Sequence, residues 1–202
     1  MRRALFVLFA LLALPLAAAE IEVSAQHVVV NAMGGNGALD IEMSRGFGAS
    51  AEIFWRDAIS TRVSATFVNP AAILYPRNPP PDDVDLGTLG LDLYAATVRY
   101  HVAPRARLSG FVGAGGVLAN IGNLDDQFGN DVEIEFDPEV AAVVEAGLRY
   151  RLRQHIVFEV GASYAPLEAE SKVRRANDPR IALPAKIAID PLVVSVGAGW
   201  RF

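Results

Sequence analysis

"EVAAVVEAGLRYRL", residues 139–152, has the clearest alternation of apolar and polar residues in the chain. One set of alternate residues is apolar: Val140, Ala142, Val144, Ala146, Leu148, Tyr150 and Leu152. The opposite face carries Glu139, Glu145, Arg149 and Arg151. A repeat of two is the period of a β-strand, in which successive side chains point to opposite faces. The stretch therefore predicts a strand with one apolar and one polar side.

The same period recurs along most of the chain. It predicts seven further strands, over residues 21–30, 47–55, 59–68, 91–102, 107–119, 155–166 and 187–202. The first of these alternates through Ile21, Val23 and Ala25 and then loses the pattern at "HVVV", residues 27–30, which predicts a bulge or a register change there. The total is eight strands, an even number of the kind that closes an antiparallel barrel in a bacterial outer membrane.

The predicted connections alternate strictly between short and long. Tight turns are expected at "WRDAI", "VAPRA" and "LRQH", and long connections at 31–46, 69–89, 120–138 and 167–185. Outer-membrane barrels have short periplasmic turns and longer extracellular loops. A soluble eight-stranded barrel or sandwich would explain the period equally well, but not this asymmetry. We therefore predict an all-β fold: an eight-stranded antiparallel transmembrane β-barrel of the outer-membrane type.

The N-terminus has the features of a secretory signal. Arg2 and Arg3 precede the apolar run of residues 4–16, and Ala17 and Ala19 have the spacing of a leader cleavage site. The run is shorter than the roughly 20 residues that a membrane-spanning helix needs, and Pro15 interrupts it. We predict that residues 1–19 are removed and that residues 20–202 form one barrel domain in the outer membrane.

Composition excludes several classes of site. The chain has no cysteine, so it has no disulfide, no haem-attachment motif and no thiolate metal site. Its formal net charge of -5 argues against a nucleic-acid binder. The sequence "GAGG" at 113–116 lies inside a predicted strand, so it is a packing feature and not a phosphate loop. We expect no cofactor, no metal site, no nucleic-acid partner and a monomeric protein.

An aromatic residue followed by a basic one recurs at four strand ends. The aromatics are Trp55, Tyr100, Tyr150 and Trp200, and the basic residues are Arg56, His101, Arg151 and Arg201. The period of two places each aromatic on the lipid side and its neighbour at the periplasmic mouth of the lumen. Because Trp and Tyr prefer the headgroup layer, the four aromatics are predicted to form the periplasmic girdle. Phe47, Phe67, Tyr94 and Tyr164 are predicted to form the outer one.

The predicted inward faces carry six charged residues: Glu52, Arg62, Arg99, Glu145, Arg149 and Glu159. The simplest hairpin registers set Glu52 against Arg62 and Arg149 beside Glu159. Eight strands leave a bore that side chains fill or that holds one small ligand, so a general porin is not expected. The charges form either a salt-bridged plug or an electrostatic gate on a solute path, and the sequence leaves both open.

The second and third long connections raise separate hypotheses. Ile73, Leu74 and Tyr75 are apolar residues in a segment expected to face water, so they either pack as a lid on the barrel mouth or form an apolar entrance for solute. The acidic stretch 123–137 lacks the spacing of an EF-hand, which favours a solvated loop over a Ca²⁺ site. Bridging of lipopolysaccharide by divalent ions is the minor option.

Four segments together resemble the outer-membrane protein W (OmpW) family: "FWRDAISTRVSATF", "LDLYAATVRYHVAPRARLSGFVGAGGV", "VVEAGLRYRL" and "IDPLVVSVGAGWRF". The last contains the family's Asp-Pro step, Asp190 and Pro191, and ends in an aromatic-x-Phe. The resemblance implies a narrow lumen with a hydrophobic section that passes or binds small apolar molecules. It also implies that Trp200 and Phe202 form the signal that the barrel-assembly machinery recognises. The first strand and the Pro-rich second loop, "NPPPDD", depart from the family.

Three functions follow as hypotheses. The favoured one is a narrow channel or binding lumen for small hydrophobic molecules, which predicts an apolar section above the charged one. The alternative is a structural or adhesive barrel with an occluded lumen, whose loops contact partners or lipopolysaccharide. An enzyme is not expected, because neither His101 nor His155 has an evident Ser or Asp companion at its level in the barrel. Contact with outer-membrane lipid is common to all three.

Overall fold

The computed structural model describes residues 20–32, 39–74, 84–122, 124–125, 133–175 and 186–202. The predicted signal segment, residues 1–19, lies outside these ranges. The regular structure of the described part is entirely strand. In chain order the strands are β1 (Glu20–Ala32), β2 (Leu39–Ile41), β3 (Ser44–Arg56), β4 (Ile59–Val68), β5 (Ala71–Leu74), β6 (Val84–Thr88), β7 (Leu91–Val102), β8 (Leu108–Ile121), β9 (Leu124–Asp125), β10 (Glu133–Phe136), β11 (Glu139–Arg151), β12 (Ile156–Tyr164), β13 (Glu168–Arg175), β14 (Lys186–Ala188) and β15 (Pro191–Arg201). No helix in these ranges is long and apolar enough to cross a membrane.

Eight of the strands form a closed antiparallel barrel. Around the barrel they are β1, β3, β4, β7, β8, β11, β12 and β15, and β15 pairs with β1 to close the ring. The last backbone amide, that of Phe202, donates to the carbonyl of Ile21 at 2.9 Å. The eight strands predicted from the period of two are thereby confirmed, as is the closed antiparallel architecture.

The barrel is apolar outside and charged inside. On β11 the side chains of Val144, Leu148 and Tyr150 are exposed, whereas Arg149 between them is only 5% exposed. Large apolar side chains are exposed on every barrel strand. Such an exterior is favourable where hydrocarbon and not water surrounds the wall. Closure of the ring gives each of these eight strands a paired neighbour on both sides.

The predicted bulge at residues 27–30 is wrong. Val28 pairs with Gly46 of β3 and with Ser195 of β15 in an unbroken register on both sides. Val28 and Val30 face inward and are 0% and 2% exposed. The pattern fades in the sequence because the lumen side of β1 changes from polar to apolar at this point, while the direction of the side chains keeps alternating. A register shift does occur at the opposite end of β3, between Phe54 and Arg56, at the turn into β4.

Short and long connections lie at opposite ends of the barrel. The short ones join β3 to β4, β7 to β8 and β11 to β12, as predicted. The long ones contain strands that were predicted to be linkers. They form one sheet of β2, β5 and β6 and another of β14, β13, β10 and β9. The sequence did not indicate these extensions, because their pairing is local to the loops and their alternation of apolar residues is weak.

Candidate functional site in the barrel lumen

The lumen has three layers that differ in chemistry. On β1 the inward residues change from Glu22 through Ser24 and Gln26 to Val28 and Val30 toward the long-connection end. The charged layer comprises Glu22, Glu52, Arg62, Arg99, His101, Glu145, Arg149 and Glu159. The middle layer is called the hydroxyl layer because seven of its eight side chains carry a hydroxyl group. It comprises Ser24, Gln26, Ser50, Ser64, Thr66, Thr97, Ser163 and Ser195. The apolar layer comprises Val28, Val30, Leu91, Leu93, Val117, Ala119, Val143 and Val193. Most residues of the first layer and all of the third are buried.

Arg99 of β7 is the centre of the charged layer. Its guanidinium nitrogens lie 3.3 Å from Glu52 Oε2, 2.7 Å from Glu145 Oε2 and 3.0 Å from Glu159 Oε2. These glutamates come from β3, β11 and β12, so one arginine joins four sides of the lumen. Its side chain is 0% exposed. A charge buried this deeply needs such surrounding partners to offset its desolvation.

Two further arginines complete the network. Arg62 lies 3.4 Å from Glu145 and 3.1 Å from Glu159. Arg149 bonds to Glu22 and lies 3.5 Å from Glu52 and 3.4 Å from Glu159. The six charged residues singled out in the sequence are thus brought together. The predicted registers, Glu52 with Arg62 and Arg149 with Glu159, are observed.

Glu52, however, does not form its ion pairs with the residue that lies opposite it on the neighbouring strand. Glu52 lies opposite Arg62 on the adjacent strand, yet its carboxylate contacts Arg99, Arg149 and His101. Hairpin register is set by two neighbouring strands, whereas these contacts cross the lumen after the barrel has closed. The sequence therefore identified the members of the network and not their pairing.

Two inward aromatic rings were missed in the sequence. Phe54 and Phe111 are 6% and 3% exposed. The guanidinium carbon of Arg99 lies 3.9 Å from the centre of the Phe111 ring, and that of Arg201 lies 3.8 Å from the Phe54 ring. Phe54 shares its face of β3 with Glu52, a signal that the sequence did contain. The sequence contained no comparable signal for Phe111, whose packing beside Gly147, where a Cβ atom would lie 2.5 Å from the Phe111 ring, is visible only in the folded structure.

The basic residues predicted at the periplasmic mouth occupy different environments. His101 lies inside the charged layer, with Nε2 2.8 Å from Ser60 Oγ and 3.0 Å from Glu52 Oε1. Arg201 is half-buried and lies 3.3 Å from Glu20. Arg151 donates to the carbonyl of Pro104 at 3.1 Å. Arg56, beyond the register shift, is exposed. The expectation that His101 lacks a companion at its own level is wrong.

A small cavity lies where the three layers meet. Arg62, Arg99 and Glu145 line it from the charged layer, and Val143 and Val193 line it from the apolar layer. The hydroxyl layer contributes Gln26, Ser64, Thr66, Thr97, Ser163 and Ser195. A smaller cavity on the short-turn side of the network is lined by Glu22, His101, Arg149 and Arg201. The charged layer therefore separates two internal spaces.

The barrel wall is interrupted on one side. Pairing between β11 and β12 extends only as far as Val144 with Tyr164. Contact resumes farther along, where the amide of Asp137 donates to the carbonyl of Glu170 at 3.4 Å. Between these points lies an open groove on the outer wall. Its lining includes the apolar residues Ala141, Pro166 and Leu167 and four acidic residues, Glu139, Glu168, Glu170 and Asp190. Ala141 and Leu167 also pack in the apolar cluster of the lumen, so they separate the groove from it.

The family model that describes the OmpW family matches residues 16–202. The chain belongs to the OmpW family. A comparison with curated proteins found no match. Among solved structures, this OmpW-family barrel is similar to the outer membrane protein OprG from Pseudomonas aeruginosa, with a TM-score of 0.76 at 14% identity, covering 92% of this chain and 96% of that one. It is also similar to the E. coli outer membrane protein W, with a TM-score of 0.53 at 16% identity, covering 92% and 98%. At these identities the likenesses show the fold: an outer-membrane β-barrel.

The outer-membrane setting explains the exterior aromatics of this OmpW-family barrel. Trp55, Tyr100, Tyr150 and Trp200 all lie on the outer surface, near the short turns. Trp55 donates from Nε1 to Thr61 Oγ1 at 2.9 Å, and Trp200 stacks on His155 with ring centres 5.5 Å apart. At the other end, Phe47, Phe67 and Tyr94 form a contiguous group of exterior rings. Amphipathic rings at both ends suit the two interfaces of a bilayer.

The trio of Ser60, His101 and Glu52 differs from a hydrolase triad. In such triads the serine and the carboxylate bond to different nitrogens of the histidine. Here both lie near Nε2, and Ser60 donates directly to Glu52 at 2.5 Å. The Ser60 side chain is also 0% exposed. These features make the trio part of the hydrogen-bonded network.

Two other features bear on predicted sites. The carboxylates of Glu22, Glu52 and Glu159 come within 4.8 Å of one another, but Arg149 contacts all three and supplies the opposing charge. This donor set suits an ion-pair network better than a cation. Ile73 and Leu74 belong to β5, where their backbones pair with Asp40 and Leu39. Their side chains, and Tyr75, lie outside the described structure, so the entrance hypothesis stays a prediction.

Proposed function

We propose that this OmpW-family barrel is a narrow channel or binding lumen for small hydrophobic molecules, and not a general porin. The observation that carries the proposal is the apolar layer above the charged one. Val28 and Val30 of β1 pack with Leu91 and Leu93 of β7 and with Val143 of β11 inside the barrel. An apolar layer in a lumen otherwise lined by charges and hydroxyls matches a ligand of low polarity.

The charged layer supports the exclusion of ions and sugars. Its arginines and glutamates are buried and mutually bonded, with Arg99 at 0% exposure. A water-filled porin channel instead leaves an aqueous path through a wider barrel. We infer that the network closes the periplasmic half of the lumen, with the short turns in the periplasm and the long connections at the cell surface, as is usual for such barrels.

The groove in the wall supports a route that avoids the charged layer. Ala141 and Leu167 line it and also pack in the apolar cluster of the lumen. A hydrophobic solute that displaced these side chains would avoid the buried charged layer and would pass the carboxylates of Glu139, Glu168, Glu170 and Asp190, which are not buried. We infer that the apolar layer receives solute from the cell-surface end and that the groove is the exit toward lipid.

The test compares the inner and outer faces of the wall. Replacing Val28 and Val30 with Thr keeps side-chain shape but adds hydroxyls to the apolar layer. The matched control replaces Val194 and Val196 with Thr, because these residues of β15 face outward beside β1. Uptake of octane by cells expressing each variant should fall for the first pair only. Purified barrel in liposomes should pass no arabinose. Normal octane uptake by V28T/V30T, or arabinose flux at porin rates, would contradict the proposal.

The second candidate function is a structural or adhesive barrel with an occluded lumen. It is favoured by the dense packing of both the charged and the apolar layers. Contact with lipopolysaccharide or a partner would then fall to the long connections. Two results together would favour this function. Cells that express the barrel would adhere at full strength, and deletion of the barrel would leave octane uptake unchanged. In either case we propose a monomer without enzymatic activity, embedded in outer-membrane lipid.

A further inference from the structure

The cavity between the layers has a polar side and an apolar side. Thr66, Ser163 and Ser195 line it beside Arg62, and Ala95, Val143 and Val193 line the side toward the apolar layer. It has room for about three water-sized groups, which is the size of a polar head group and not of a whole solute. A ligand placed there would extend its remaining atoms into the apolar layer.

One buried donor on a residue that lines this cavity lacks a partner. Arg62 is 6% exposed, and its Nη1 serves Glu145 and Glu159. Its Nε is enclosed and has no hydrogen-bond partner among the described residues. A buried N–H without an acceptor is costly, so a ligand oxygen that entered the cavity and shifted the Arg62 side chain enough to reach Nε would relieve that cost. The hydroxyls of Thr66, Ser163 and Ser195 can either donate to such an oxygen or accept from it.

Charge decides which kind of oxygen fits. Four carboxylates, those of Glu22, Glu52, Glu145 and Glu159, face the three guanidinium groups of the network, those of Arg62, Arg99 and Arg149. Arg201 at the mouth adds a fourth guanidinium group, 3.8 Å from Glu22. The network therefore has no surplus positive charge for a ligand carboxylate. Glu145 itself lines the cavity, and its charge would repel an anion there. A neutral oxygen meets neither obstacle.

We propose that the hydroxyl layer is a head-group site, and that the ligand is a small amphiphile with an uncharged oxygen at one end: a medium-chain alcohol, aldehyde or ketone. Its head accepts a hydrogen bond from Arg62 Nε and exchanges hydrogen bonds with the hydroxyl layer. Its chain lies among Val28, Val143 and Val193. This inference rests on the proposed function and adds a polarity and an orientation to it.

The experiment titrates the barrel in lipid nanodiscs with octane, 1-octanol and octanoate. The methyl NMR signals of Val28 and Val143 report binding inside the lumen, so partition into lipid does not interfere. One additional hydrogen bond to the head should make the dissociation constant of 1-octanol about tenfold lower than that of octane. Octanoate should bind more weakly than 1-octanol.

Two cavity variants, Thr66→Val and Gly161→Ala, test the site without changing a residue of the ion network, and Thr61→Val is their control. Thr66→Val removes a hydroxyl at the cavity and should reduce the preference for 1-octanol. Thr61→Val removes a hydroxyl on the outer face of the same strand, β4, and should leave the preference unchanged. Gly161→Ala adds a methyl group to the cavity, where the nearest atoms, in Phe111 and Ser195, lie 3.4 Å away. It should abolish the preference while the barrel still folds.

The outcomes separate this inference from the proposed function. Equal affinity for octane and 1-octanol, or a preference that both cavity variants leave intact, overturns the head-group site and leaves the hydrophobic lumen standing. Tightest binding of octanoate overturns the uncharged head. Failure of all three molecules to perturb Val28 and Val143 overturns the proposed function, and the head-group site with it.

Discussion

Arg99 lies over the ring of Phe111, with its guanidinium carbon 3.9 Å from the ring centre, while its nitrogens reach three glutamates. One guanidinium group thus contacts an aromatic ring and three carboxylates. Arginine suits this position because its planar group both stacks on an aromatic ring and bonds at its edges, which lysine does not do. The pair holds the charged layer at the centre of the lumen.

Arg99→Met should lower the free energy of unfolding by about 3–5 kcal/mol, because it leaves Glu52, Glu145 and Glu159 buried with one arginine fewer. The control is Arg105→Met. Arg105 pairs with Asp57 at 2.6 Å, but the side chains are 88% and 61% exposed, so the loss should be under about 1 kcal/mol. Urea unfolding in lipid vesicles measures both. Equal losses for the two variants would show that the buried network does not stabilise the barrel.

Gly115→Ala should destabilise the barrel, whereas Gly116→Ala should be tolerated. A Cβ atom on Gly115 would lie 1.9 Å from the carbonyl oxygen of Ala96, so the wall between β7 and β8 must shift. On Gly116 the nearest atom, the carbonyl oxygen of Ala141, is 3.8 Å away. Overpacking of this kind costs about 1–3 kcal/mol. The temperature at which each variant unfolds, detected as a change in gel mobility, gives the comparison. A Gly115→Ala variant that unfolds at the same temperature as the natural protein would contradict the steric explanation.

Single cysteines should report the orientation of the barrel, since the natural chain has none. Met43 lies at the long-connection end and is 68% exposed, and Arg105 lies in a short turn. A membrane-impermeant maleimide should label Met43→Cys on whole cells and Arg105→Cys only after the outer membrane is opened. The opposite pattern would invert the assignment of the two ends.

Deletion of Phe202 should reduce the amount of protein that reaches the outer membrane. The Phe202 side chain is 72% exposed and projects from the barrel, so the deletion removes little packing and one backbone hydrogen bond, that from the Phe202 amide to Ile21. The family resemblance implies that this terminal aromatic is part of the assembly signal. Phe158→Ala removes another exterior ring far from the terminus and is the control. Normal outer-membrane levels of the truncated protein would contradict the expectation.

Most of the wall was predictable from the sequence, because the barrel places alternate residues in two opposed surroundings. Tyr150 and Arg149 fall on opposite faces in the sequence and in the structure. The prediction failed where the polarity of a residue no longer indicated whether its side chain faces the lumen or the lipid. Val28 and Val30 are apolar and yet face inward, so their direction was misread as a bulge. His101 was placed at the mouth, although it bonds to Ser60 and Glu52 inside.

The unpredicted part of the site depends on which strands face each other across the lumen. Arg62 and Glu159 lie on strands that are not neighbours in the wall, and their 3.1 Å contact follows only from closure and tilt. No spacing in one sequence encodes that distance. Ser64, Ser163 and Ser195 of the hydroxyl layer fall on the inward faces of strands that the sequence predicts. That they lie at one level, between the charged and apolar layers, is known only when the registers of the strands are known.

The pairing of β1 with β15 has a consequence for the order of events in the cell. Glu22 of β1 pairs with Arg201 of β15. Because β15 follows the other barrel strands in chain order, one edge of β1 lacks its partner until those strands have been made. An exposed strand edge pairs readily with other chains. We therefore expect the barrel to close only after β15 has been synthesised, with that edge of β1 shielded until then.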